Sequence, residues 1–285
     1  FGQSGGGRDV NLLLTSPRTE GLFAAVAIHS APLGAAEAEP LRERARALAE
    51  EVGCSESTER LTCLRGMDPH RLVGAEASRP LGLASGAFLP IVDGHVVVDQ
   101  PRARFAAAQV QNVPVLLGTM AAEYSHRWPN VTPASYPTWA RAFLRPAQVQ
   151  PALEHYALDR FDSAAEAFAT LMSDRNVTCP HRSYARTMAG AGYDVWLYRF
   201  DQTLPPGVRL GFGPYHTSDL VYLFQHLDRP ALEGTEDDRA TQAWMMRLWT
   251  RFAGAGDAGL PGELDWAPFE AATEPSLRIE AQPRM

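Results

Sequence analysis

Lysine is absent from the chain: all 26 basic side chains are arginine, set against 33 acidic ones. The resulting formal charge of −7 excludes a general nucleic-acid binder, which needs a basic stripe. The arginine preference itself reads as coding bias with no mechanistic content. Also missing is any apolar run of about 18 residues, so no membrane-spanning helix is predicted, and no basic, apolar N-terminal segment reads as a signal peptide. There is no initiator methionine, and the sequence opens inside a motif. Cysteine is scarce, with Cys54, Cys63 and Cys179 only. Two of the three bracket a short polar loop that a disulfide could close, or they could remain thiols; no further ligands accompany them to make a zinc site. The pair points, if anywhere, to a secreted or periplasmic location.

What is present suits a large globular domain: 285 residues, 45% of them hydrophobic. The first residues, Phe1-Gly2-Gln3-Ser4-Gly5-Gly6-Gly7, contain G-x-S-x-G, the pattern of a nucleophile elbow between a strand and a helix. There Ser4 is the candidate nucleophile, and the flanking Gly2 and Gly6 are expected where a Cβ would collide with neighbouring chain. A serine among glycines is also a common linker composition, so the rest of the chain must decide.

Arg8–Leu14 predicts a buried helix whose N-terminus, with its free N–H groups, favours negative charge beside Ser4. Phe23–Ile28 reads as a buried strand and Ala36–Val52 as a helix rich in good helix formers. This alternation predicts an α/β protein with a mainly parallel sheet. A short strand is expected at His95–Val98 and an apolar one at Val113–Gly118, the latter leading directly to Glu123. A carboxylate just past a parallel strand stands where open α/β sheets gather functional groups. Residues 133–191 read as a helical sub-region, with aromatic residues at helical spacing. Asp194–Phe200 reads as an edge or late strand. A loop rich in glycine and proline then delivers Tyr215 and His216, and Arg239–Ala253 reads as an amphipathic helix. Trp266 and Phe269 are expected to end the packed part, with a polar, mobile tail from Ala271. Ser4, Glu123 and His216 stand in the chain order of the α/β-hydrolases.

Taken together, these stretches resemble the type-B carboxylesterases, the carboxylesterase and cholinesterase group of the α/β-hydrolase fold, and most nearly bacterial para-nitrobenzyl esterases. The resemblance rests on Phe1–Gly6, Leu14–Pro17, Gly21–Phe23, Gly53-Cys54 with Cys63–Arg65, Phe88–Gly94, and Val115–Thr119 with Glu123. His216 with Asp219 and Tyr222–Phe224, then Trp249–Phe252 with Trp266, complete it. It implies a Ser4–Glu123–His216 triad, an oxyanion hole to which the Gly5 N–H contributes, and a Cys54–Cys63 disulfide. Gln3 stands where the family usually has glutamate and Gly5 where it has alanine; neither side chain is expected to enter the triad chemistry.

The implied function is cleavage of small-molecule carboxylic esters through an acyl-enzyme, without metal or organic cofactor. Ala84, Gly86 and Phe88, with Tyr215, are the candidate substrate pocket, and the small residues from Ala84 to Ala87 suggest a roomy acyl side. The family's segment before the elbow, which supplies several strands and a glycine-rich oxyanion loop, has no counterpart in this sequence. The expectation is therefore an incomplete α/β-hydrolase spanning 1–285, the C-terminal part of an esterase, folding poorly and acting weakly when alone. The alternative is a non-catalytic, cholinesterase-like binding domain or an inactive remnant; the presence of all three triad residues favours the enzyme.

Overall fold

The computed structural model describes residues 1–56, 58–77 and 89–285. By internal contacts the chain divides into one unit of residues 1–33 and 101–285 and a second of residues 34–100.

The larger unit is built on a five-stranded parallel sheet whose spatial order follows the chain: β1 (Gly2–Gln3), β2 (Val26–His29), β3 (Val115–Met120), β4 (Val195–Phe200) and β5 (Leu277–Ile279). β2 and β3 are buried along their whole length. That explains the apolar runs Val26–Ile28 and Val115–Leu117 within them, since a parallel strand covered on both faces has no solvent side to populate with polar residues. One face carries Leu116, Met120, Trp196, Tyr198 and Phe200 against Met245, Leu248, Trp249 and Phe252. The opposite face sets Val115, Leu117, Val195 and Leu197 against Leu14, Phe105, Tyr184 and Met188.

The helices of this unit follow from local signals. α1 (Gly5–Leu14) springs from the Ser4 turn, and α5 (Pro101–Ala106) begins on a proline, which suits a first helical position. Helices α6 (Tyr136–Phe143), α7 (Pro146–His155), α8 (Ala164–Ser173) and α9 (Cys179–Gly190) occupy the predicted helical stretch, with a π-helical turn at Asp174–Thr178 joining the last two. Tyr136, Phe168, Leu171 and Met172 form a separate apolar cluster there, flanked by Trp128 and Trp139. After α10 (Pro205–Leu210) and α11 (Asp219–Leu223) comes the long α12 (Glu236–Ala255). Thr235 and Asp238 close a reciprocal capping box at its start, and Gly256 ends it in the left-handed conformation.

The smaller unit holds α2 (Ala38–Glu51), α3 (Arg60–Arg65) and α4 (Pro69–Ala77). Cys54 and Cys63 are joined in a disulfide beside Leu48, Ala49 and Val52.

Two expectations need correction and a third is narrowed. His95–Val98 forms a turn, because the Asp93 carboxylate accepts from the N–H groups of His95, Val96 and Val97 and so offers them an alternative to a strand partner. Of the two placements expected for Asp194–Phe200, edge or late, the late one holds: β4 is the fourth of the five strands and lies between β3 and β5. The segment after Ala271 is not a loose tail: Leu277 and Ile279 are fully buried and pair with β4. Its polar composition hid a three-residue strand whose two inward positions are apolar.

Candidate active site

Ser4 lies between β1 and α1 with φ 56° and ψ −119°, a conformation that costs a non-glycine residue about 1–3 kcal/mol. Its N–H donates to the His29 carbonyl at 2.8 Å, which pins the turn to the end of β2. The first bond of the following helix runs from the Arg8 N–H to the Ser4 carbonyl, so the Gly5 and Gly6 N–H groups precede it at the positive end of α1. A Cβ on Gly2 would lie 2.2 Å from the Gly6 carbonyl oxygen, and one on Gly7 would lie 2.8 Å from the Ala31 Cβ. Gly6 has open space instead. Thus Gly2 and Gly7 are the two sterically required glycines, rather than Gly2 and Gly6, because it is the first turn of the helix that passes close to β2.

Glu123 follows β3 and is fully buried, whereas the His216 side chain remains 19% exposed. His216 Nδ1 lies 2.7 Å from Glu123 Oε2, and the Met120 N–H donates to Glu123 Oε1 at 2.9 Å. The backbones are tied as well, the His216 N–H donating to the Glu123 carbonyl at 3.0 Å. A carboxylate accepts only, so Nδ1 carries the proton and donates, leaving Nε2 of the neutral ring as an acceptor. That lone pair is occupied by the Gln3 amide at 3.2 Å. Among the described residues no hydrogen bond joins Ser4 Oγ to His216. The Gln3 side chain, expected to stay clear of the triad, is instead aimed by β1 at the His216 imidazole.

Aromatic groups flank His216. The Tyr124 ring stands 6.1 Å from the His216 ring, and burial followed by the Glu123 charge pushes its phenol up to about 12. Tyr215 packs against His126 at 5.5 Å and Phe212 at 6.5 Å. Burial, then the Arg127 charge and His216, push the His126 imidazole below its ordinary value. Ala84, Gly86 and Phe88, the remaining predicted pocket residues, lie outside the described residues. Among the described residues no group of three or more His, Cys, Asp or Glu side chains is placed to hold a metal ion.

Beneath Ser4 is a second imidazole–carboxylate contact that sequence reasoning did not single out. His29 Nδ1 lies 3.0 Å from Asp219 Oδ2, both side chains fully buried, and the Trp249 indole N–H donates to His29 Nε2 at 2.9 Å. The available signal was a polar residue closing an apolar parallel strand.

The carboxylesterase family profile matches residues 1–285, the whole length of the chain. The chain belongs to the carboxylesterase family. Membership in that family carries the α/β-hydrolase fold, in keeping with the parallel sheet and strand–turn–helix elbow described above. Among curated relatives, acetylcholinesterase of Bungarus fasciatus is 25% identical over 99% of this chain and 52% of its own length. Carboxylesterase 3 of Pongo abelii is 26% identical, and that of Homo sapiens 25%, each over 100% of this chain and 54% of the relative. The chain thus spans about half the length of the relatives it matches. No helix of the described residues is long and apolar enough to cross a membrane.

Proposed function

We propose that this chain carries the acyl-transfer machinery of a carboxylic ester hydrolase, with Ser4 as nucleophile, His216 as general base and Glu123 as the group that orients it. The observation that carries the reading is the doubly anchored Glu123, buried, with one oxygen on the His216 ring and the other on the Met120 N–H. An orienting carboxylate needs this arrangement, because it fixes the imidazole tautomer and stabilises the imidazolium that forms.

In the first step His216 Nε2 takes the Ser4 hydroxyl proton as Oγ attacks the ester carbonyl. The Gln3 amide has to release Nε2 for this to happen, so the bound ester and Ser4 Oγ take its place. The Gly5 N–H, at the start of α1, faces the charge that develops on the carbonyl oxygen. The imidazolium then protonates the departing alcohol, and water, deprotonated by the same base, cleaves the acyl-enzyme. The family match and the carboxylesterase names of relatives at about one-quarter identity support the substrate class.

One observation favours the rival, non-catalytic reading: the base is bonded to Gln3 rather than to Ser4. The two are separated by labelling with a fluorophosphonate and locating the adduct by mass spectrometry. Attachment to Ser4 in native but not heat-denatured protein is the expected result. A native chain that hydrolyses no activated ester and takes no label would assign it instead to binding.

A further inference from the structure

His29 holds both Ser4 and the segment that bears His216. Its carbonyl accepts the Ser4 N–H, while its ring binds Asp219, three residues beyond His216 at the first turn of α11. The tautomer follows from the partners. An indole N–H only donates, so His29 Nε2 accepts from Trp249 and the single ring proton resides on Nδ1, pointing at Asp219. Rings enclose this contact: Tyr198 at 5.7 Å and Trp249 at 5.3 Å meet the imidazole edge to face.

Asp219 Oδ1 and the Tyr198 hydroxyl are both buried without a hydrogen-bond partner of good geometry. They are nonetheless close enough that, after burial itself, the Asp219 charge is the main influence holding the phenol protonated. A fully buried carboxylate with a single firm partner is costly to retain for packing alone. We infer that the His29–Asp219 pair is a positioning device, a buried strut from the end of β2 to α11 that sets His216 at the correct distance from Ser4. This rests on the ester-hydrolase reading for its consequence in catalysis, but not for its geometry.

The strut is tested with His29→Leu and His29→Gln in the full chain. A glutamine amide presents an acceptor to Trp249 and a donor to Asp219, so it reproduces both bonds of the neutral ring; leucine reproduces neither. Because misplacement by about 1 Å can cost roughly 100-fold in rate, His29→Leu is expected to slow ester turnover and fluorophosphonate labelling of Ser4 by about 30- to 100-fold with KM nearly unchanged. His29→Gln should stay within about threefold of the parent, on the same reasoning.

A folded His29→Leu variant as fast as the parent overturns the inference, and so does a His29→Gln variant as slow as the leucine one. Where the leucine variant fails to fold, His29→Asn replaces it, its shorter amide reaching only one partner. A second readout needs no activity: the ring-proton resonance of His216 Nδ1–H should shift or broaden in His29→Leu and return in His29→Gln. If the parent chain leaves Ser4 unlabelled, the hydrolase reading falls and this resonance decides the strut alone; an unchanged resonance in His29→Leu overturns it.

Discussion

Two imidazole–carboxylate pairs lie on either side of the elbow, and they differ in what water can reach. His216 and Glu123 share an anchored carboxylate, but the ring is partly exposed and its Nε2 holds only an exchangeable amide partner. His29 and Asp219 are sealed, and the outer nitrogen of His29 is fixed by a tryptophan that is part of the core. The same chemical couple therefore serves two ends. On the proposed hydrolase reading, the pair whose Nε2 is left to a replaceable partner takes a proton from Ser4, and the pair whose Nε2 is locked holds its neighbours in place.

The sharpest test of this contrast removes the reacting groups of the open pair. Ser4→Ala and His216→Ala are each expected to lower kcat by about a million-fold where the chain is active, measured with an activated ester. Glu123→Gln should cost about 10⁴-fold with little change in KM, because the amide leaves the wrong tautomer facing Ser4. A Glu123→Gln loss of tenfold or less would show that the buried carboxylate does not govern the base, and the contrast between the pairs would collapse.

A second fully buried histidine extends the comparison to stability. His181 donates from Nδ1 to the Val177 carbonyl at 2.8 Å and accepts the Ala31 N–H on Nε2 at 3.3 Å, with no room for a second proton. Burial, the dominant cause, depresses its pKa from 6.5 to about 4. The unfolded chain then binds a proton that the folded one refuses, so stability falls as pH drops from 6.5 towards 4 and levels off below. The loss should total about 3 kcal/mol, and denaturant unfolding of His181→Gln across that range should lack this component.

The smallest expected effect concerns the replaceable partner. Gln3→Ala should change kcat by less than about tenfold, since it removes one neutral bond worth roughly 1 kcal/mol. A loss beyond tenfold in Gln3→Ala would mean that the amide is more than a replaceable partner of the imidazole.

How much of this was legible in the sequence depended on whether a residue's role was local. The elbow, the strand leading to Glu123 and the loop delivering His216 each carry their own signal: glycine spacing, an apolar run, proline and glycine punctuation. Even there, the choice between Gly6 and Gly7 was invisible, because it depends on how closely α1 passes β2. The Gln3, His29 and Asp219 contacts join residues 213 and 190 positions apart, and no periodicity encodes such meetings. β5 escaped for a different reason: a strand of three residues is too short to show an alternation, and only the waiting edge of β4 gives it structure.

The agreement between strand order and chain order has a consequence for how the protein is made. Among the described strands, each one after β1 emerges from the ribosome beside a neighbour that has already been made. The chemistry does not accumulate in that way. Ser4 and Glu123 are in place long before His216 is translated, and the strut from His29 waits for Asp219. These five strands thus come together by increments, whereas the proposed triad is completed in one late event, the arrival of His216.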